Sequence, residues 1–117
     1  MRQVASKHKE ASSKPLTEPV LLILLSLASK PQHGYALMKD IEGLSHGRVS
    51  LTTGTLYGAL RRLLEDAWIE RFNQADTSRD KQAYRLTAIG RKHLDVELER
   101  MKQVTKIAAS RLRSVEA

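Results

Sequence analysis

The sequence predicts a mainly α, α+β fold: short helices, one β-hairpin, then a long terminal helix. Three observations carry this. In residues 50–69, Leu56, Leu60, Leu63, Leu64 and Ala67 fall at i, i+4, i+7, i+8 and i+11, one apolar stripe at helical period. Two strand-like runs, at 68–72 and 83–87, flank a polar stretch rich in turn formers. After them, Leu94, Leu98, Met101, Thr105, Ala108, Leu112 and Val115 are spaced by 4, 3, 4, 3, 4 and 3 residues, a heptad seam.

Composition bounds what such a chain can do. The 117 residues suffice for one small domain plus one extra long element, and the 41% hydrophobic content allows a core. A net charge of +7 favours a polyanionic partner, although an anionic membrane surface would also answer it. The absence of cysteine removes disulfides, thiol catalysis and thiolate metal sites. The apolar run at 20–28 has nine residues, whereas a bilayer span needs about 20. Lys7, Lys9 and Lys14 precede it as they would a signal-peptide core, but Ala28-Ser29-Lys30-Pro31 is a poor cleavage site. The run therefore reads as a buried helix, and the protein as cytoplasmic with no membrane partner.

In chain order, residues 1–16 are polar and basic without periodicity and read as a flexible arm. Thr17-Glu18-Pro19 starts a helix: Thr17 can cap, Glu18 suits the dipole and Pro19 fits the first turn. Its apolar residues point to nearly every side, so it should lie between other elements, and Lys30-Pro31 ends it. Gln32-His33-Gly34 turns the chain. A second helix follows from about Tyr35 to Leu44, with Leu37, Met38, Ile41 and Leu44 on one face and Lys39, Asp40 and Glu42 on the other. It stops near Gly47, which can take positive φ. Residues 48–51 alternate polar and apolar, as a short strand would. Thr52 or Thr53 then caps the third helix. These tight connections imply a helix-turn-helix arrangement.

The hairpin that follows would be the wing of a winged helix-turn-helix spanning residues 17–87. Arg71, Arg79, Lys81 and Arg85 would line this wing, partly cancelled by Asp76 and Asp80. Thr87 can cap a last helix over residues 88–117. About 28 residues of helix would measure about 42 Å, longer than the small domain can cover. The simplest partner for its seam is the same helix from a second copy, in a two-fold homodimer; the alternative is that it folds back on its own domain.

Several motifs occur together and in order: His33-Gly34-Tyr35; Gly54-Thr55-Leu56-Tyr57 with Ala59, Leu60 and Leu63; and Tyr84-Arg85-Leu86-Thr87 with Gly90. In these the chain resembles the PadR family of bacterial winged-helix transcriptional regulators, and its single C-terminal helix resembles the shorter subfamily. The resemblance implies a homodimer, a palindromic promoter site in double-stranded DNA, and usually repression. Two departures stand out. The family usually has Gly where this chain has Ala67; if that residue takes positive φ, alanine costs on the order of 1 kcal/mol, and otherwise the helix ends differently. The wing also lacks a dense basic cluster.

For DNA readout the resemblance points to the polar face of the third helix. Thr53, Gly54 and Thr55 stand at its N-terminus, where free N–H groups favour phosphate, although Thr53 can cap instead. Tyr57 can donate to a phosphate or pack at the helix surface. Arg61 is placed for a bidentate guanine contact or a phosphate, and Arg62 for backbone. Gly58 is costly inside a helix, which close approach to DNA or to a neighbouring helix would explain. Tyr35 and Lys39 can reach the DNA backbone, with Tyr35 alternatively core, and Arg79 and Lys81 are phosphate candidates on the wing. No acidic residue lies between Arg48 and Leu64.

The residues offer no catalytic constellation and no cofactor site. His8, His33, His46 and His93 lack metal-ligand spacing on any one element. A small-molecule effector between the dimer's helices, or none, is equally compatible with the sequence. The alternative function is a winged-helix interaction module whose basic face meets an acidic partner protein.

Overall fold

The computed structural model describes residues 15–72 and 82–116, with side chains to Arg113. Its elements are α1 (Glu18–Ser29), β1 (Gln32–His33), α2 (Gly34–Leu44), α3 (Thr53–Glu65), β2 (Ile69–Phe72), β3 (Ala83–Leu86) and α4 (Ala88–Glu116). The three strands form an antiparallel sheet in the order β1-β3-β2. This is the winged helix-turn-helix expected from the sequence. Arg79 and Lys81, and residues 1–14 of the expected arm, lie outside the described residues.

Thr17 caps α1 through its hydroxyl, which accepts from the Val20 N–H at 3.4 Å, and Lys30 leaves the helix in an extended conformation ahead of Pro31. Ile23, Leu24 and Leu27 are buried against α2, β3 and α4. Leu21, Leu22, Leu25 and Ala28 are only half-buried within one chain, so the all-round burial expected of this helix is incomplete.

Gln32 and His33 are not a simple turn. They pair with Tyr84 and Ala83 as an added edge strand, too short for any periodicity to reveal. On α2, Leu37 and Ile41 are fully buried, while Leu44 is 50% exposed and so lies off the core face. Asp40, expected on the polar face, instead accepts a hydrogen bond from the buried Ser26 hydroxyl. Gln32 Nε2 donates to the Ser26 carbonyl at 2.9 Å and to its hydroxyl at 2.7 Å. This network joins α1, β1 and α2, and it satisfies polar groups that would otherwise be costly to bury.

The end of α2 turns through His46 and Gly47, both at positive φ (54° and 80°), and the Gly47 N–H reaches back to the Glu42 carbonyl at 2.8 Å. The expected strand at 48–51 does not form. Its backbone is held by a side chain instead: the Ser45 hydroxyl accepts from the Val49 N–H at 2.9 Å. The alternation has another cause, since Val49 and Leu51 pack inward on the core.

Below α3 the chain makes one more tight turn. Ala67 sits at φ 64°, and the Trp68 N–H bonds the Leu63 carbonyl at 3.0 Å. Thr87 closes the other side of the sheet. Its hydroxyl lies 2.6 Å from the Ala67 carbonyl and 3.0 Å from that of Trp68, and it accepts from the Gly90 N–H at 3.0 Å, capping α4. Gly90 has no room for a side chain, because a Cβ there would run into the Trp68 carbonyl oxygen. The first turns of α4 thus belong to the domain core. Leu94 is 3% exposed, His93 stacks on Trp68 with ring centroids 4.2 Å apart, and the buried Glu97 carboxylate accepts from Arg100.

Candidate nucleic-acid interface

The interface candidate is the outer face of α3. Thr52 is the N-cap: its hydroxyl accepts from the Thr55 N–H at 3.1 Å. Thr53 is thereby free of capping duty and exposed in the first turn. Thr55 is engaged, its hydroxyl 3.0 Å from that of Thr52. Leu56, Ala59, Leu60 and Leu63 face the core, which leaves Thr53, Gly54, Thr55, Tyr57, Arg61 and Arg62 exposed, with Gly58 half-buried among them.

A Cβ at Gly54 or Gly58 would meet nothing within 4 Å. Intrachain packing therefore requires neither glycine, and the neighbouring-helix explanation for Gly58 fails within one chain. Gly34 differs: a side chain there would collide with the Tyr57 hydroxyl. Tyr57 accordingly leans from α3 across the start of α2, with 42% of its surface still exposed.

Tyr35 is not a core residue. It is 69% exposed, and the Lys39 ammonium lies 5.8 Å from its ring centroid, so the pair shares the exposed side of α2. His33, the N-cap of α2, makes no side-chain capping bond. The first N–H groups of α2 therefore have no capping side chain from their own N-cap residue.

The wing strands divide their charges between two faces. Glu70 and Phe72 share a face with Arg85, which bonds Glu70 at 2.7 Å and stacks over Phe72 at 4.7 Å. Arg85 is thus tied down and does not line a free basic edge. Arg71 lies on the opposite face, directly across from Tyr84. Tyr57, Leu60, Arg61, Leu64, Arg71 and Tyr84 together wall a cleft of about 180 Å³ between α3 and the sheet. The Tyr84 phenol is raised above its ordinary value of 10.0, chiefly by burial and next by Tyr57, with Arg71 acting in the opposite sense. Sequence reasoning did not select Tyr84 as a contact residue, nor Arg71 beyond a place on the wing. Period-two alternation puts Ile69 and Arg71 on one face, but only the strand register sets Arg71 opposite Tyr84.

Along α4, Leu94 is used up in its own domain. Beyond it Leu98, Met101, Val104, Ile107 and Leu112 are all exposed. Thr105 turns its hydroxyl back to the Met101 carbonyl at 2.8 Å. Ala108 is exposed on the same helix, and the Val115 side chain lies outside the described residues. Among the described residues, no group of three or more histidines and carboxylates is placed to hold a metal, and no helix is long and apolar enough to cross a membrane.

Known proteins share this fold. A transcriptional regulator from Clostridium thermocellum has 25% sequence identity and a TM-score of 0.66, the match covering 78% of this chain and 89% of that one. A PadR family transcription regulator from Clostridium difficile, at 24% identity, also superposes with a TM-score of 0.66, covering 80% of this chain and 96% of the other. A PadR-like transcription factor from Bacteroides fragilis shares the fold at 20% identity and TM-score 0.66, with 92% and 97% covered. No curated protein matches the sequence. The model of the transcriptional regulator PadR-like family matches residues 23–96, from α1 through the first turns of α4. Both the family match and the helix-turn-helix with its wing place this chain in the PadR-like family of transcriptional regulators.

Proposed function

We propose that the protein is a cytoplasmic, dimeric, sequence-specific DNA-binding repressor that acts at a palindromic promoter site. The observation that carries this reading is the outer face of α3. It exposes Thr53, Tyr57, Arg61 and Arg62, and bare backbone at Gly54, on a chain of net charge +7. Such a face fits a major groove, where hydroxyls and guanidinium groups read base edges and phosphates and a helix without side chains can approach closely.

Dimerisation follows from α4. Leu98, Met101, Thr105, Ala108 and Leu112, widened by Val104 and Ile107, form a stripe that the single chain leaves uncovered. A second copy of the helix covers it. The two α3 helices then enter successive major grooves about 34–36 Å apart.

A fluorescence titration of the full chain against a duplex recovered by selection tests the reading. Affinity should fall with salt by about 0.9 log-log unit per phosphate contact. Arg61→Ala should cost on the order of 1–3 kcal/mol. Salt-insensitive binding, equal affinity for every duplex, or an Arg61→Ala variant of full affinity would contradict it. Capture of an acidic protein with no selected duplex would favour the interaction-module alternative.

A further inference from the structure

We infer that the cleft between α3 and the sheet seats one phosphate of the DNA backbone, held by Arg61 and Arg71 and by the hydroxyls of Tyr57 and Tyr84. The inference rests on the DNA-binding reading above and deepens it. It adds Arg71 and Tyr84 to the interface, and it resolves the choice open for Arg61 in favour of phosphate over guanine.

Four features converge on this cleft. Among the described residues its wall includes Arg61, Arg71, Tyr57 and Tyr84 and no acidic residue. Two cations lining one cleft repel each other, and an anion between them relieves that repulsion. Glu70, the nearest acid in sequence to Arg71, is turned to the other face and spent on Arg85 at 2.7 Å.

Tyr84 is the second feature. It is only 7% exposed yet lines the cleft, and no side-chain hydrogen bond among the described residues uses its hydroxyl. Its hydroxyl is not sealed from solvent, so it is free to donate to a ligand that enters the cleft. Burial holds it in its protonated form, so towards an anion it acts as a donor.

The third feature is the uncapped start of α2. Its first residue, Gly34, lies against the Tyr57 hydroxyl, and His33 offers it no side-chain cap. The helix dipole therefore adds positive potential beside the phenols. The fourth is position. The cleft lies where the helix proposed to enter the major groove meets the first strand of the wing, where a DNA strand passing from one groove to the next would run. Guanidinium forks match the two non-bridging oxygens of a phosphodiester, and the phenols supply neutral donors.

A methylphosphonate scan tests this. The selected duplex is synthesised with one backbone phosphate at a time replaced by a neutral methylphosphonate. Each duplex is titrated with the full-length wild type, Arg71→Gln and Tyr84→Phe. Arg71 is exposed and Tyr84→Phe keeps the ring, so both variants should fold, which circular dichroism checks. On the unmodified duplex, Arg71→Gln should lose about tenfold or more in affinity, and its salt slope should fall by about one. The loss should be alike on selected and random duplexes. One phosphate position should cost the wild type a similar factor while costing Arg71→Gln almost nothing more, the mark of a shared contact. Tyr84→Phe should show the same coupling, more weakly.

If the wild type recognises its duplex but no phosphate position couples to Arg71 or Tyr84, the cleft assignment is overturned and the DNA-binding reading stands. If inorganic phosphate at millimolar concentration protects the cleft while no backbone position couples, the cleft is a free-anion site and the inference again fails. If the wild type binds no duplex at all, both readings fall together.

Discussion

Ala67 sits at φ 64°, in the left-handed region where a Cβ is penalised, because α3 must hand the chain to β2 within a few residues. The turn is locked from outside by Thr87, whose hydroxyl lies within hydrogen-bonding reach of both the Ala67 and Trp68 carbonyls. The chain therefore adopts the conformation with alanine in place and carries the strain. Ala67→Gly should raise unfolding stability by about 1 kcal/mol, read from urea denaturation at unchanged m-value. No gain, or a loss, would mean that the strain is absorbed elsewhere. At this scale the sequence was informative wherever a residue's own chemistry decided the outcome. Thr17 and Thr87 cap through their hydroxyls, and Gly47 turns where positive φ is needed. It was silent where a partner decided. Nothing local indicates that Asp40 turns inward to Ser26, or that Arg85 is spent on Glu70.

The longest element, α4, has two functions along its length. Its first three turns seal the domain through Leu94, His93 and Glu97. Glu97 is 6% exposed, and its carboxyl is held below the ordinary 4.5, first by the hydrogen bond from Arg100 and then by the Arg100 charge, against the effect of burial. A carboxylate depressed on folding adds stability that is complete above 4.5 and lost as pH falls through its lower folded value. Glu97→Gln should therefore be less stable at neutral pH and show a shallower loss below pH 4.5 than the wild type. A parallel acid dependence in the two proteins would remove Glu97 from that role. The heptad spacing shows the apolar stripe of this helix but not where its intrachain use ends. Leu94 obeys the same rhythm as Leu98, yet it is buried in its own domain, while Leu98 is 39% exposed. Short elements were the hardest to read. A two-residue strand has no period, and the alternation at 48–51 came from core packing around a serine staple and not from a sheet.

At the scale of the whole molecule, an exposed apolar stripe on a helix of 29 residues and a basic face on α3 with no acid before Glu65 call for different partners. A second copy of the chain would answer the first and DNA the second. Ile107 is 59% exposed and makes no part of the domain core, so Ile107→Asp should leave the fold intact. By analytical ultracentrifugation it should shift micromolar protein toward monomer and weaken operator binding in step. A variant that stays dimeric would show that another surface joins the protomers. The helix order and the wing were legible in the sequence because hydrophobic period and turn chemistry are local properties. The cleft formed by α3 and the sheet was not, because it depends on register and on the angle at which two elements meet.

The most direct measurement for the central claim is selection of bound duplexes from a random pool with the full-length protein. A dimer of this fold should enrich an inverted repeat whose half-site centres lie about 10–10.5 base pairs apart, or a multiple of that spacing. Failure to enrich any sequence, or enrichment of a single unrepeated site bound by one chain, would contradict it.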